Sequence, residues 1–274
     1  MPRHAIHHVS PVSMPSINPI DFGAPLRWLS AGWDDLKQHP AASIGYGLVV
    51  IALYALIVAF ALSTTWYHVG LQLTAGFTLL APVFAVGFYR MSQRMEEGSP
   101  TGLADAFKAW NANPRGILGM GVILLLVLLS WFMVGMWTTA FLLEGKAELV
   151  LRFGGGGLGD YITALPAPLI IAFFLTGLVA GLVAFFFSAV SIPFLMEEPD
   201  LDFISALVTS WNAVIRNTGP MLWWALLIGV IFAGGLLLGY IGLAIALPWL
   251  GHSTWHAYRE VVNREVSESE VHEA

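Results

Sequence analysis

Long apolar stretches alternate with short polar segments along the chain, and this pattern predicts membrane-spanning helices. A helix needs about 20 predominantly apolar residues to cross a bilayer. Five stretches of about that length or more carry no charged side chain: Ser43–Ser63, Leu71–Tyr89, Ile117–Leu143, Pro168–Leu195 and Pro220–Tyr258.

The last of these stretches is too long for one span. At about 1.5 Å per residue it would form a helix of roughly 58 Å, whereas the hydrocarbon core is about 30 Å thick. A turn near Gly239, close to Gly234 and Gly235, divides it into spans over residues 220–238 and 240–258. The pattern therefore predicts six transmembrane helices.

The polar segments before spans one, three and five share a design. Each has apolar residues at helical spacing, a tryptophan, a basic residue and then a proline. Such a segment predicts an amphipathic helix lying in the membrane interface. Tryptophans anchor such helices at headgroup level, and the expected anchors are Trp33, Trp110 and Trp211.

These elements predict an all-α membrane protein of three hairpins, each preceded by a short cytoplasmic amphipathic helix. The membrane domain covers residues 25–262. It is flanked by an irregular N-terminal tail, residues 1–24, and an acidic C-terminal tail, residues 263–274. Prolines inside the second span of each hairpin predict helix kinks at Pro82, Pro193 and Pro248, since proline removes a backbone donor. The recurring order indicates a loose internal repeat.

The distribution of basic residues predicts the orientation. Most lysines and arginines precede span one, join spans two to three and four to five, or follow span six, whereas Lys146 and Arg152 are the two on the opposite side. Cytoplasmic loops are enriched in lysine and arginine. Both termini are therefore expected on the cytoplasmic side of the membrane.

Composition narrows the class further. Apolar residues make up 57% of the chain and charged residues 11%, against about 45–50% and about 25% in soluble domains. This excludes a soluble enzyme, and the long runs exclude an outer-membrane barrel. The mild charge of −6 gives no footprint for nucleic acid. Every Asp and Glu falls outside the predicted spans, which disfavours ion-coupled transport.

His252 and His256 are the sharpest local signal. Their i, i+4 spacing places both imidazoles on one helix face, where they could ligate a metal or haem. The alternative, which we favour, is that they pack against the interfacial helices together with Trp255 and Tyr258. Apart from this pair no cofactor is expected, and the sequence carries no catalytic pattern.

Several motifs together resemble a known family. They are Trp28–Leu36, Ser43–Gly47, Pro82–Gly87, Ser188–Pro193 and Gly251–Arg259, the last being the most specific. The chain resembles, over residues 26–262, the proteobacterial integral membrane proteins grouped as domain of unknown function 2189. The resemblance implies a polytopic bacterial inner-membrane protein and carries no established activity.

The leading hypothesis is a non-enzymatic scaffold or accessory protein that binds other membrane proteins or lipid. The first alternative is an uncoupled transporter or channel for a neutral or apolar solute. The second alternative is an electron-transfer subunit with haem or metal at His252 and His256. The expected partners are the lipid bilayer and other membrane proteins, without nucleic acid.

Overall fold

The computed structural model describes residues 15–63, 67–143, 165–238 and 240–263, and nearly all of them are helical. The helices are, in chain order, α1 (Ala24–Gln38), α2 (Pro40–Ser63), α3 (Tyr67–Phe84), α4 (Val86–Glu96), α5 (Leu103–Lys108), α6 (Pro114–Leu143), α7 (Ala167–Ser188), α8 (Ser191–Glu197), α9 (Phe203–Arg216), α10 (Thr218–Leu237) and α11 (Tyr240–Val261). A 3₁₀ turn, Ala109–Asn111, follows α5, and strand β1 (Ser16–Ile17) pairs antiparallel with β2 (Val262–Asn263). The chain is thus an all-α membrane protein.

Among the described residues, five helical segments are long and apolar enough to cross a bilayer. They are Pro40–Phe60, Ala75–Glu96, Pro114–Leu142, Ala167–Glu197 and Thr218–Leu237. They coincide with the first five predicted spans. The sixth predicted span lies in α11, which is helical but falls outside this group because its second half is rich in polar side chains.

The long helices begin a few residues before the predicted spans. α2 and α6 start at Pro40 and Pro114, and α10 starts at Thr218. Proline suits the first turn of a helix because its missing N–H would have no intrahelical acceptor there. The prolines expected to end the interfacial segments therefore open the spans. The predicted apex of the last stretch, Gly239, lies outside the described residues, between α10 and α11.

Helices occupy all three segments predicted to be amphipathic, namely α1, α5 with its 3₁₀ turn, and α9. The N-cap of α9 is Asp202, whose Oδ1 accepts hydrogen bonds from the backbone N–H groups of Ile204 and Ser205, both at 2.9 Å. This N-cap satisfies two donors that the first turn would leave unpaired. A hydrogen bond from the Ser205 hydroxyl group at 2.6 Å, together with the capping bonds, lowers the pKa of Asp202 below its usual value.

The three predicted anchor tryptophans are each partly exposed and each lie against another aromatic ring. Trp33 packs on Trp249, Trp110 on Phe84 and Trp211 on Phe186. This arrangement suits amphipathic rings with one apolar face and one polar edge. Their depth in the membrane stays a prediction.

The three prolines expected to kink spans differ in effect. Between α7 and α8 the helix breaks at Ala189 and Val190, three to four residues before Pro193, where its ring would meet the preceding turn. The Val190 N–H is bonded instead to Ser210 Oγ at 3.3 Å. Pro82 lies inside α3 shortly before the break at Ala85, whereas α11 continues through Pro248.

The described part of the N-terminal tail is tied to the C-terminal end of α11. The Asn18 N–H bonds to the Val261 carbonyl at 2.9 Å, and the Asn18 side chain donates to the Glu260 carbonyl at 3.0 Å. These contacts and the β1–β2 pair hold both ends of the described chain side by side. The rest of the predicted tails, residues 1–14 and 264–274, lies outside the described residues.

Candidate functional site

A chain of buried polar side chains joins α1, α2, α4 and α11. His252 on α11 is fully buried, as are Ser43 on α2 and Ser92 on α4. His252 Nε2 lies 2.9 Å from Ser43 Oγ, and His252 Nδ1 lies 2.7 Å from Ser92 Oγ. Both ring nitrogens are therefore engaged by hydroxyl groups.

Asp35 on α1 connects the two histidines. Its Oδ2 accepts a hydrogen bond from Ser92 Oγ at 2.6 Å and lies 2.9 Å from His256 Nε2. Asp35 is 7% exposed, whereas the side chain of His256 is 28% exposed. A buried carboxylate is tolerated when such hydrogen bonds replace water. The cluster formed by Asp35, Ser43, Ser92, His252 and His256 is called the histidine cluster below.

The hydrogen bonds assign a consistent tautomer to His252. Ser92 gives its single hydroxyl proton to Asp35, so its oxygen accepts from His252 Nδ1–H. His252 Nε2 then accepts the hydrogen bond that the Ser43 hydroxyl group donates. A neutral imidazole has one donor and one acceptor, and here both are satisfied.

Carboxylates surround the last turns of α11. Glu96 on α4 accepts from Trp255 Nε1 and from Arg259 Nε, both at 3.1 Å. Glu197 on α8 accepts from the Tyr258 hydroxyl at 2.5 Å. The C-terminal half of α11 is therefore bonded to the ends of two neighbouring helices as well as to α1.

On α1, Trp28 Nε1 donates to Glu260 at 2.7 Å, and Arg27 bridges Glu260 and Asp21. The hydrogen bonds from Arg27 lower the pKa of Asp21 below its usual value. Arg27 and Asp21 are exposed, so solvent screens this ion pair. The buried Trp28 contact fixes the helix more firmly, since its ring also packs edge-on against Trp224 at 5.6 Å.

The four residues predicted as functional or interfacial on α11 all belong to this region. His252 and His256 lie in the histidine cluster, while Trp255 and Tyr258 bond to the flanking carboxylates. His256 contacts Asp35 of α1 directly, and His252 is linked to Asp35 through Ser92. That these residues pack against a helix lying in the membrane interface stays a prediction. Residues of α4 and α8 also contact this part of α11.

Ligation of a metal or haem by His252 would require the displacement of Ser43 or Ser92 from a ring nitrogen. Within the described ranges, no group of three or more His, Cys, Asp or Glu side chains could hold a metal ion. The arrangement of Ser43, His252 and Asp35 also brings together residue types used in nucleophilic catalysis. Ser43 is fully buried and its hydroxyl group contacts His252, so the cluster joins α2 to α11.

The sequence analysis missed Asp35, Ser43 and Ser92. A signal for Asp35 was present, because it lies on the buried stripe of α1, three residues after Gly32 and next to Leu36. A carboxylate on the apolar stripe of an amphipathic helix needs a buried partner. Ser43 and Ser92 carried no comparable signal, since serine is common at helix ends.

A second feature is an apolar cavity of about 420 Å³ lined by α2, α3, α4, α7, α10 and α11. Its wall is mainly aliphatic and aromatic, with Phe77, Phe84, Phe88, Phe185 and Phe232 among the rings. Small-molecule sites measure about 300–1,000 Å³ and are largely apolar. The cavity lies at the level of the candidate spans, so its ligand would come from the bilayer interior.

Three hydroxyl-bearing residues in the cavity wall are already bonded within their own helices. Thr78 donates to the Ala75 carbonyl at 2.6 Å, Ser188 to a carbonyl at 2.7 Å and Thr254 to a carbonyl at 2.8 Å. Side chains that bond back to their own helix offer no free donor to a ligand. The wall therefore presents an almost purely apolar surface.

Comparison with family models gives one match, to a family described as predicted integral membrane protein, DUF2189, over residues 70–197. The matched segment runs from within α3 to the end of α8 and includes part of the cavity wall, but neither Asp35 nor His252. It is shorter than the 26–262 range of the expected resemblance, and the Gly251–Arg259 motif lies outside it. No curated protein and no solved structure matches the chain. Over residues 70–197, the chain is therefore similar to the DUF2189 family of predicted integral membrane proteins.

Proposed function

We propose that this integral membrane protein is a non-enzymatic accessory protein that binds the apolar chain of a membrane lipid in the cavity. The observation that carries the proposal is the cavity itself, about 420 Å³ of apolar space among helices at membrane depth. Side chains around an empty space lose van der Waals contacts on that side. Packing, more than the hydrophobic effect, drives association inside a bilayer, so an acyl chain that restores those contacts is a suitable occupant.

Filling the cavity should abolish this binding. Gly181 lines the cavity, and a Cβ there would meet no atom within 4 Å. We expect Gly181→Phe to place its ring in the free space and to weaken lipid binding about tenfold, or about 1.4 kcal/mol. The measurement is photo-cross-linking to a phosphatidylcholine with a photoreactive acyl chain, in vesicles, with mass-spectrometric mapping of the labelled peptides.

The matched control is Gly234→Phe. A Cβ at Gly234 also meets nothing within 4 Å, but this glycine is not part of the cavity wall. The control should label like the unmodified protein. Labelling spread evenly over the lipid-facing helices, or unchanged in Gly181→Phe, would contradict the proposal. Movement of the labelled lipid between leaflets would favour the alternative of an uncoupled transporter using the same cavity.

We further propose that the chain crosses a bacterial inner membrane six times, with both termini on the cytoplasmic side. Strand β1 precedes all candidate spans, and β2 follows α11, yet the two strands pair. Paired strands lie on one side of the bilayer, so an even number of crossings must separate them. The number of crossings is even if α11 crosses the bilayer in addition to the five candidate spans. The excess of basic residues on that side supports a cytoplasmic location.

Cysteine labelling tests this arrangement cleanly, because the sequence contains no cysteine. We expect an impermeant maleimide to label Thr65→Cys from outside intact cells. Ser99→Cys and Ser267→Cys should react only after the cells are opened, since both positions are expected in the cytoplasm. Labelling of Ser267→Cys from outside, with Ser99→Cys still protected, would contradict six spans.

A further inference from the structure

Tyr89 differs from Thr78, Ser188 and Thr254, whose hydroxyl groups in the cavity wall bond to their own helices. It lies in α4, lines the cavity and is 2% exposed. Among the described residues its hydroxyl group has no hydrogen-bond partner. The nearby Tyr46, in contrast, donates to the Phe84 carbonyl at 2.9 Å. A phenol without a partner in an apolar setting is costly, so it indicates a missing acceptor.

The Tyr89 oxygen also borders free space. The unpartnered polar atoms that are completely enclosed are, within the described part of the chain, Thr101 Oγ1, Ser191 Oγ and Trp224 Nε1. Tyr89 Oη is not one of them. We infer that the accessible surface of this oxygen faces the cavity, since Tyr89 lines the cavity and is otherwise almost fully buried.

The position of Tyr89 along its helix indicates which part of a ligand it meets. Arg90 is the next residue and Arg94 lies one further turn along, at the charged end of the Ala75–Glu96 segment. The cavity wall also includes Val50 and Leu79, which lie nearer the apolar middle of α2 and α3. A molecule bound along the cavity would thus have its polar atom near Tyr89 and its hydrocarbon chain deeper in the membrane.

We propose that the cavity takes an acyl lipid whose carbonyl oxygen accepts a hydrogen bond from the Tyr89 hydroxyl. The proposal rests on lipid binding in the cavity and adds the chemical class of the ligand. A carbonyl supplies the acceptor that the helices do not provide, whereas a plain hydrocarbon would leave the hydroxyl unpaired. The same chemistry is offered by an ester-linked lipid and by a free fatty acid.

Tyr89→Phe tests the contact because it removes the hydroxyl and keeps the ring. The probes are a long-chain fatty acid methyl ester and an alkane of equal length, with the corresponding free fatty acid as a third arm. Each probe carries the same diazirine and is added to the full-length protein in phosphatidylcholine nanodiscs. We expect Tyr89→Phe to weaken ester binding about threefold to tenfold, the range for one neutral hydrogen bond, and to leave alkane binding unchanged.

A spectroscopic readout separates this contact from a structural role. The stretching band of a ¹³C-labelled ester carbonyl should shift to lower frequency in the unmodified protein, and the shift should disappear in Tyr89→Phe. Tyr46→Phe is the matched control, since its hydroxyl is bonded to the Phe84 carbonyl and Tyr46 is not in the cavity wall. That variant should retain both the shift and the preference for the ester.

Each outcome has a distinct meaning. If ester binding and the carbonyl band are the same in Tyr89→Phe and the unmodified protein, the carbonyl contact is overturned while lipid binding stands. If neither the ester nor the alkane labels the cavity wall, lipid binding itself fails. Stronger binding of the free fatty acid than of the ester, with both weakened by Tyr89→Phe, supports the contact and assigns the ligand as a fatty acid.

Discussion

Gly32→Leu is expected to destabilise the protein by about 3 kcal/mol or more by forcing α1 away from α11. A Cβ at Gly32 would lie 2.5 Å from the backbone nitrogen of Ser253 and 2.8 Å from its Cα. Backbone atoms inside a helix cannot move aside as a flexible side chain can. Overpacking of this kind costs about 1–3 kcal/mol for small additions, and leucine adds three further carbon atoms at the same contact.

Helix propensity acts in the opposite direction but is smaller. Replacing a helical glycine by a good helix former gains about 1 kcal/mol. The steric cost at Gly32 is larger than this gain, so the substitution lowers the stability. Gly234→Leu is the matched control, because a Cβ at Gly234 meets nothing within 4 Å. That variant should be neutral or slightly more stable.

Unfolding of the purified protein by SDS in mixed detergent micelles, followed by far-UV circular dichroism, measures both variants. The displacement of α1 should also separate Asp35 from Ser92, because Asp35 lies on the same stripe as Gly32. An unfolding midpoint for Gly32→Leu equal to that of Gly234→Leu would show that α1 is not held against α11 in the membrane protein.

The helices were predictable from the sequence because bilayer thickness imposes a simple length rule. The predicted span Ile117–Leu143 lies within α6, and the spans predicted on either side of Gly239 match α10 and α11 closely. Each boundary coincides with a proline, a glycine or a charged residue that hydropathy and helix chemistry both recognise. The class of the protein follows from the same local signals.

The contacts between helices were not predictable, since they join residues far apart in sequence. His252 meets Ser43 and Ser92 only because α11 packs beside α2 and α4. Inside a membrane most helix faces are apolar, so hydropathy does not identify which face meets which neighbour. The cavity likewise depends on how large and small side chains face one another across several helices.

α11 illustrates both sides of this distinction. Its first half reads as a span, whereas its second half carries histidine, serine, threonine and arginine, which exclude it from the five candidate spans. The fold explains these polar residues, because His252 and Ser253 are fully buried against α1, α2 and α4. Polar side chains that the sequence alone would assign to the solvent here form contacts between helices.

His252→Ala is expected to be the most disruptive substitution in the histidine cluster, at about 3 kcal/mol. The change leaves a cavity at a position with no exposed surface and removes the ring that packs edge-on against Phe88 at 5.6 Å. Truncating a large buried side chain costs about 2–5 kcal/mol. It also removes the partner of Ser43, and a buried hydroxyl without a partner adds about 1–3 kcal/mol when the surroundings cannot adjust.

His256→Ala, one turn further along α11, is the matched comparison. Its side chain is 28% exposed and its Nε2 contacts only Asp35 among the described polar groups. Water can replace that contact, so we expect a loss of about 1 kcal/mol. The same SDS titration gives both values.

The two substitutions also separate a structural role from metal or haem ligation by the histidine pair. A shared metal would make His252→Ala and His256→Ala similarly harmful, and a chelator would lower the stability of the unmodified protein to that of the variants. The hydrogen-bonded cluster instead predicts unequal losses and no effect of the chelator, because both His252 nitrogens are engaged by serine hydroxyls. Equal losses, together with stoichiometric metal or a Soret band in the purified protein, would establish ligation and refute the structural role.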